Sequence, residues 1–65
     1  WDVPVDNMPD AVHKALADNY PQYFIDSAEY VERPNGVAYY EIELERVGGA
    51  ELVVNVTPEG EVLKR

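Results

Sequence analysis

Apolar residues in the first third of the chain recur at the spacing of a single helix face. Pro9 suits the first position of a helix, Asp10 favours the positive end of its dipole, and Pro21 ends it. The sequence therefore predicts one amphipathic helix of about three turns, which must pack on another element to be stable. Its apolar face comprises Met8, Ala11, Val12, Ala15, Leu16 and Tyr20.

After Pro21 the apolar period changes from 3.6 to 2, which is typical of β-strands. Turn residues separate four runs rich in Val, Ile, Tyr and Leu, which are Gln22–Arg33, Val37–Arg46, Glu51–Thr57 and Glu61–Lys64. Each separator ends in glycine, and the three are Pro34-Asn35-Gly36, Val47-Gly48-Gly49 and Pro58-Glu59-Gly60. This pattern predicts three-residue hairpin loops, each a type I turn closed by a left-handed glycine.

The apolar pattern also selects the strand register. Three-residue loops put the apolar positions of all four strands on one face, whereas two-residue loops would set Glu45 beside Leu52. The predicted fold class is therefore α+β, with one N-terminal amphipathic helix packed on a four-stranded antiparallel β-meander. The inner face of the sheet would carry Ala28, Tyr30, Tyr40, Ile42, Leu44, Leu52, Val54, Val56 and Val62.

One stretch of the first strand departs from this alternation. Regular alternation would turn Phe24 and Asp26 inward and Ile25 outward, which would bury a lone carboxylate at considerable cost. A β-bulge near Asp26-Ser27 would instead turn Ile25 inward and leave Asp26 in water. We favour the bulge.

Composition and charge narrow the function classes. The chain has 65 residues, a net charge of −8 and no cysteine, so it predicts a single domain without disulfides or thiolate metal sites. Residues 1–7 read as an extended arm and residues 8–65 as the domain. The acidic balance argues against nucleic acid, and no apolar run is long enough to insert in a membrane. We expect no cofactor and no metal, because the acidic residues near the N-terminus lack calcium-loop spacing.

The order of helix and meander, with these residues, resembles the PepSY-like domain family, which is also described as similar to the repeat unit of β-lactamase-inhibitor proteins. The resemblance covers the chain from Met8 to Leu63 and rests on packing and turn positions. The matching residues are Met8-Pro9, Val12, Ala15, Tyr20-Pro21, Ala28, Tyr30, Tyr40, Ile42, Leu44, Val54, Val56 and the closing Pro58-Glu59-Gly60-Glu61-Val62-Leu63.

The resemblance implies a periplasmic or secreted bacterial protein, although the chain shows no recognisable signal peptide. It further implies a non-enzymatic module that binds a protein partner, with inhibition of a peptidase or other envelope enzyme as the proposed role. Family members often carry the unit in tandem, whereas this chain has one. The alternative function is a structural unit that self-associates as a homodimer, or that belongs to a tandem repeat or larger envelope assembly.

The sheet face opposite the helix, called the reverse face below, is the candidate interaction surface. Its candidate partner-binding residues are Glu29, Val31, Tyr39, Glu41, Glu43, Val53 and Leu63, with Glu45 and Glu51 nearby. Tyr39 is the expected aromatic anchor of a docking surface. The alternatives are a solvated face that resists aggregation, or an apolar patch covered by the arm and Trp1.

No residue set indicates catalysis. His13 is the only histidine and Ser27 the only serine, and His13 is expected on the helix surface. A nucleophile needs a base within reach, and so small a core offers no closed cleft in which a carboxylate pKa would be shifted. The sequence predicts no catalytic residues and a protein that is not an enzyme.

Overall fold

The computed structural model describes residues 1–63 and has the predicted α+β architecture, with one helix on a four-stranded antiparallel sheet. The sheet is a meander in which each strand pairs with the next along the chain. Lys64, the predicted end of the last strand, lies outside the described residues. The elements are α1 at Asp10–Asn19, β1 at Tyr23–Val31, β2 at Tyr39–Arg46, β3 at Glu51–Val56 and β4 at Val62–Leu63.

Prolines bound the helix at both ends. Pro9 is the residue just before the first helical turn, one position earlier than predicted, and Asp10 is the acidic residue of that turn. The backbone leaves helical geometry at Tyr20, whose N–H still donates to the Leu16 carbonyl at 2.8 Å. Pro21 follows and prevents continuation of the helix.

The strand register matches the prediction at every pair for which one was made. The observed pairs are Tyr30 with Tyr40, Ala28 with Ile42, Leu44 with Leu52, Ile42 with Val54, and Val56 with Val62. This agreement follows from the period of two along a strand, because a slip by one residue would turn every apolar side chain to the opposite face.

The core lies between the inner face of the sheet and α1. Val12, Ile42 and Val56 are fully buried at 0% exposure and form its centre. Met8, Ala15, Leu16, Ala28, Leu44 and Val54 complete the buried cluster. Tyr40, Leu52 and Val62 of the predicted inner face pack against this cluster while staying partly exposed. Each fully buried side chain stabilises the fold by about 1.5–3 kcal/mol.

The predicted bulge in β1 is present. The register with β2 shifts between Ile25 and Ser27, leaving Asp26 as the extra residue. Asp26 is exposed and Ile25 packs against the core cluster. Phe24 pairs with Glu45, so it shares that residue's face of the sheet and is 54% exposed.

The loops agree with the prediction only in part. Pro58-Glu59-Gly60 is a three-residue loop with Gly60 at φ 93°, as predicted. Val47-Gly48-Gly49 also has the predicted length, but Gly48 takes a φ of 105° as well as Gly49 at 92°. A positive φ at the third residue of the turn makes it type II rather than the predicted type I.

The prediction for the first loop is wrong. Pairing stops at Val31 and Tyr39, so seven residues, Glu32 to Ala38, connect β1 to β2. Gly36 does not take a positive φ. Within this connection Arg33 lays its side chain on the Tyr39 ring, and Pro34 has no N–H to donate to a ladder.

The N-terminal arm is extended only at its start. Trp1 to Val3 pair with the outer edge of β1, where Asp2 lies opposite Glu29. Val5–Asn7 then form one turn of 3-10 helix that leads into α1. Val3 and Val5 pack against the core cluster, so the arm closes one side of the helix–sheet layer.

Candidate functional site

The structure brings all seven predicted partner-binding residues to the reverse face. Pairing across the sheet places them in rows, because residues directly opposite each other share a face. One row runs Glu29, Glu41, Asn55, Leu63, and the next runs Ser27, Glu43, Val53. Val31 pairs with Tyr39 at one end, and Phe24, Glu45 and Glu51 form the row at the other.

Two pairs of glutamates oppose each other directly on the reverse face. Glu29 lies opposite Glu41, and Glu45 lies opposite Glu51. Opposed like charges destabilise a sheet by a few tenths of a kcal/mol, roughly the lower end of cross-strand pair energies. Between these pairs, the Ser27 hydroxyl donates to the Glu43 carboxylate at 2.7 Å and holds it in the centre of the face. The reverse face is therefore a concentrated source of negative charge.

Apolar side chains interrupt this acidic surface. Val53 is 49% exposed and Phe24 is 54% exposed, while Val31 and Leu63 are half-buried. The sequence-based list of binding residues omitted Phe24. The bulge at Asp26 was the signal for it, because turning Ile25 inward turns its neighbour Phe24 outward.

Tyr39 lies on the reverse face, as predicted, but it is not a free aromatic anchor. Its exposure is 8% because Arg33 covers the ring, with the guanidinium carbon 4.7 Å from the ring centroid. Arg33 also donates from its Nη2 to the Tyr39 hydroxyl at 3.1 Å. This contact is a cation–π pair combined with a hydrogen bond, so the surface presented at this position is a guanidinium rather than a phenol.

Asn55 occupies the middle of the acidic row. Its side-chain oxygen Oδ1 is buried and accepts no hydrogen bond within the part of the chain that the structure describes. A buried acceptor without a donor destabilises by about 1–3 kcal/mol. The residue opposite Asn55 on β2 is Glu41, whose carboxylate supplies no N–H donor.

The arm does not cover the reverse face, so that alternative is wrong. Trp1 packs edge-on against Tyr30, with ring centroids 5.0 Å apart, and Tyr30 in turn contacts Tyr40 at 5.0 Å. Tyr30 and Tyr40 pair across the strands on the face that carries the core. The reason is register: Asp2 lies opposite Glu29, so its neighbours Trp1 and Val3 point to the helix side.

His13 is half-buried rather than fully exposed, and its Nε2 donates to the Val5 carbonyl at 3.0 Å, tying α1 to the 3-10 turn. Among residues 1–63 no three His, Asp or Glu side chains are grouped so that they could hold a metal ion.

Two open grooves, of about 400 and 300 Å³, flank Tyr20. Within residues 1–63, no helix is both long and apolar enough to cross a membrane.

The chain was compared with known proteins in three ways. It matches no family model, and no curated protein or solved structure is significantly similar to it. The PepSY-like resemblance therefore stays a prediction from packing and turn residues.

Proposed function

We propose that this chain is a non-enzymatic, exported protein-binding module of PepSY-like type, whose reverse face binds a basic surface of a partner protein. The partner we propose is a peptidase or other envelope enzyme, which the bound module inhibits. The observation that carries the proposal is the reverse face, where opposed glutamates alternate with exposed Phe24 and Val53.

Charge supports a basic partner. The chain carries −8, and Glu29, Glu41, Glu45 and Glu51 stand in opposed pairs on this one face. Lys or Arg side chains from a partner would relieve these repulsions and would raise the association rate by electrostatic steering.

The apolar side chains supply the other part of a binding surface. Phe24 and Val53 lie in adjacent rows, on either side of the Glu43 and Glu45 positions of β2. Interfaces concentrate their affinity in a few apolar or aromatic residues surrounded by polar ones. An open sheet face of this composition fits another protein better than a small molecule, which prefers an enclosed pocket.

Self-association is the alternative that the charge disfavours. A homodimer through the reverse face would bring two surfaces of the same negative sign together, and like-charge contact opposes binding. Sedimentation at several protein concentrations distinguishes the two. A monomer at low salt agrees with the proposal. A dimer whose dissociation constant is altered by Glu43→Lys would instead support self-association through this face.

Binding and inhibition can be tested against purified, basic bacterial exported peptidases and envelope enzymes. We expect at least one to bind the immobilised chain, to lose affinity as salt screens the charges, and to be slowed in its own assay. Glu43→Lys is expected to weaken binding about tenfold or more, a change of about 1.4 kcal/mol. Glu59→Lys is the matched control, because Glu59 is exposed in the β3–β4 loop and the charge change is the same.

Two results would contradict the proposal. One is no measurable binding by any enzyme of such a panel. The other is that Glu43→Lys and Glu59→Lys weaken enzyme binding equally, which would show that binding depends on the net charge of the chain and not on the reverse face. Val53→Asp gives an independent check, since this half-exposed apolar side chain is not part of the buried cluster.

A further inference from the structure

The outer edge of β1 has two halves that differ in what lies beside them. The arm pairs with one half: the Tyr30 N–H donates to the Trp1 carbonyl at 2.8 Å, and the Val3 N–H donates to the Ala28 carbonyl at 3.0 Å. Alternate arm residues, Trp1 and Val3, face the helix side of the sheet. The arm therefore shows that this edge accepts an extended segment with apolar side chains at every second position.

The arm leaves the edge before it reaches the other half. Pro4 has no backbone N–H to donate, and Val5–Asn7 turn away as 3-10 helix. Within residues 1–63, no strand pairs with the outer side of β1 from Tyr23 to Ser27, and the Tyr23 N–H is taken by the Tyr20 carbonyl at 3.1 Å. The bulge at Asp26 separates this open half from the half that the arm occupies.

A groove of about 400 Å³ opens beside the unpaired half of β1. Leu16 and Ala17 line it from α1, Tyr20 lines it from just after the helix, and Tyr23 and Ile25 line it from β1. Tyr20 and Tyr23 hold each other edge-on, with centroids 6.2 Å apart. This volume is near the lower end of the range of about 300–1,000 Å³ for binding pockets, and its lining is mainly apolar and aromatic, with His13 among the lining side chains.

We propose that the Tyr23–Ser27 edge accepts an extended, basic polypeptide segment, which adds a strand to the sheet and places an apolar side chain in this groove. The segment would continue along an edge that the arm already uses in the same way. Asp26 at the bulge is exposed, Glu45 opposite Phe24 is half-buried, and Arg46 opposite Tyr23 offsets only one of these two negative charges. The remaining negative charge favours Lys or Arg beside the apolar residues. A second copy, with its own charge of −8, fits this edge poorly.

This inference goes beyond the proposed function and does not depend on it, since a segment can use the edge even if the reverse face binds nothing. The test is selection of a random peptide library displayed on phage against the immobilised full chain. We expect enriched peptides in which apolar residues alternate and Lys or Arg lies between them. For a synthesised winner, amide NMR shifts should concentrate at Tyr23–Ser27 and in the second half of α1. Trp1 fluorescence should stay unchanged, because the arm remains in place.

Ala17→Arg fills the groove from an exposed position of the helix, so we expect it to preserve the fold and to weaken peptide binding about tenfold. Ala50→Arg is the matched control, with the same added charge and bulk at an exposed loop position. It should change the affinity by less than about twofold. Unaltered amide spectra away from each substitution establish that both variants are folded.

Four outcomes overturn the inference. They are the absence of any selected peptide that binds below about 100 µM, equal effects of the two arginine variants, a changed Trp1 emission that shows arm displacement, and shifts centred on Glu43 and Val53. The last outcome would place the peptide on the reverse face, which would support the proposed function. If a peptide bound at Tyr23–Ser27 but no enzyme bound the chain, the proposed function would fail and this inference would stand.

Discussion

Replacing Gly60 by alanine tests how the last loop is held against the helix. Gly60 has a φ of 93°, and a Cβ added there would lie 2.6 Å from the Ala11 carbonyl oxygen in the first turn of α1. Both features disfavour a side chain, but they act through different physical effects. The first is backbone strain within the residue, and the second is a collision between the β3–β4 loop and the helix.

The chain offers matched controls that separate these effects. Gly49 has nearly the same φ, 92°, and nothing within 4 Å of an added Cβ, so Gly49→Ala measures backbone strain alone. We expect it to lower the free energy of unfolding by about 1–2 kcal/mol. Gly60→Ala should add about 1–3 kcal/mol, the usual range for overpacking. Gly36→Ala should be nearly neutral, because Gly36 lacks a positive φ and its nearest contact, at 3.0 Å, is the flexible Arg33 side chain.

Urea unfolding followed by far-ultraviolet circular dichroism gives the three values. A domain of this length has a total stability of about 3–10 kcal/mol, so Gly60→Ala is expected to leave a marginally folded protein. In thermal melts each kcal/mol corresponds to about 4–8 °C. If Gly60→Ala and Gly49→Ala differed by less than about 0.5 kcal/mol, the close approach of the loop to α1 would be refuted.

Three further predictions concern stability. Thr57 is 2% exposed and its hydroxyl accepts from the Glu61 N–H at 3.0 Å, so Thr57→Val should lower the unfolding free energy in urea by about 1 kcal/mol. Glu51→Lys should raise it by about 0.2–1 kcal/mol at low salt, because the lysine would face Glu45, and a gain that persists in high salt would contradict the charge argument. Arg33→Ala should lower it by about 1 kcal/mol and alter the near-ultraviolet tyrosine dichroism, since it uncovers the Tyr39 ring; an unchanged spectrum would count against the stacked geometry.

The register was predictable because it depends on strictly periodic information. Ile42 and Leu44 can be buried only if every partner strand is in phase, and each unpaired carboxylate that a slip would bury is costly. The same reasoning located the bulge at Asp26, where one charged residue conflicted with the alternation. The candidate interaction surface followed directly, since it consists of the residues that alternate with the core.

Local loop chemistry was less predictive than periodicity. Glycine allows a positive φ but does not require one: Gly36, at the end of its turn, does not take it, whereas Gly48, inside its turn, does. The exposure of Tyr39 was also beyond prediction, because it depends on where the flexible Arg33 side chain from a neighbouring loop comes to lie.

The sequence by itself determined the element order, the strand register, the bulge and the division of residues between the core and the acidic reverse face. These properties follow from alternation along single strands, where burial separates the two faces without ambiguity. Only the tertiary structure decided the path of the arm, the cover over Tyr39, the contact between Gly60 and Ala11, and the groove beside β1. Each of these depends on how separate elements meet, and side-chain spacing within one element carries no information about such contacts.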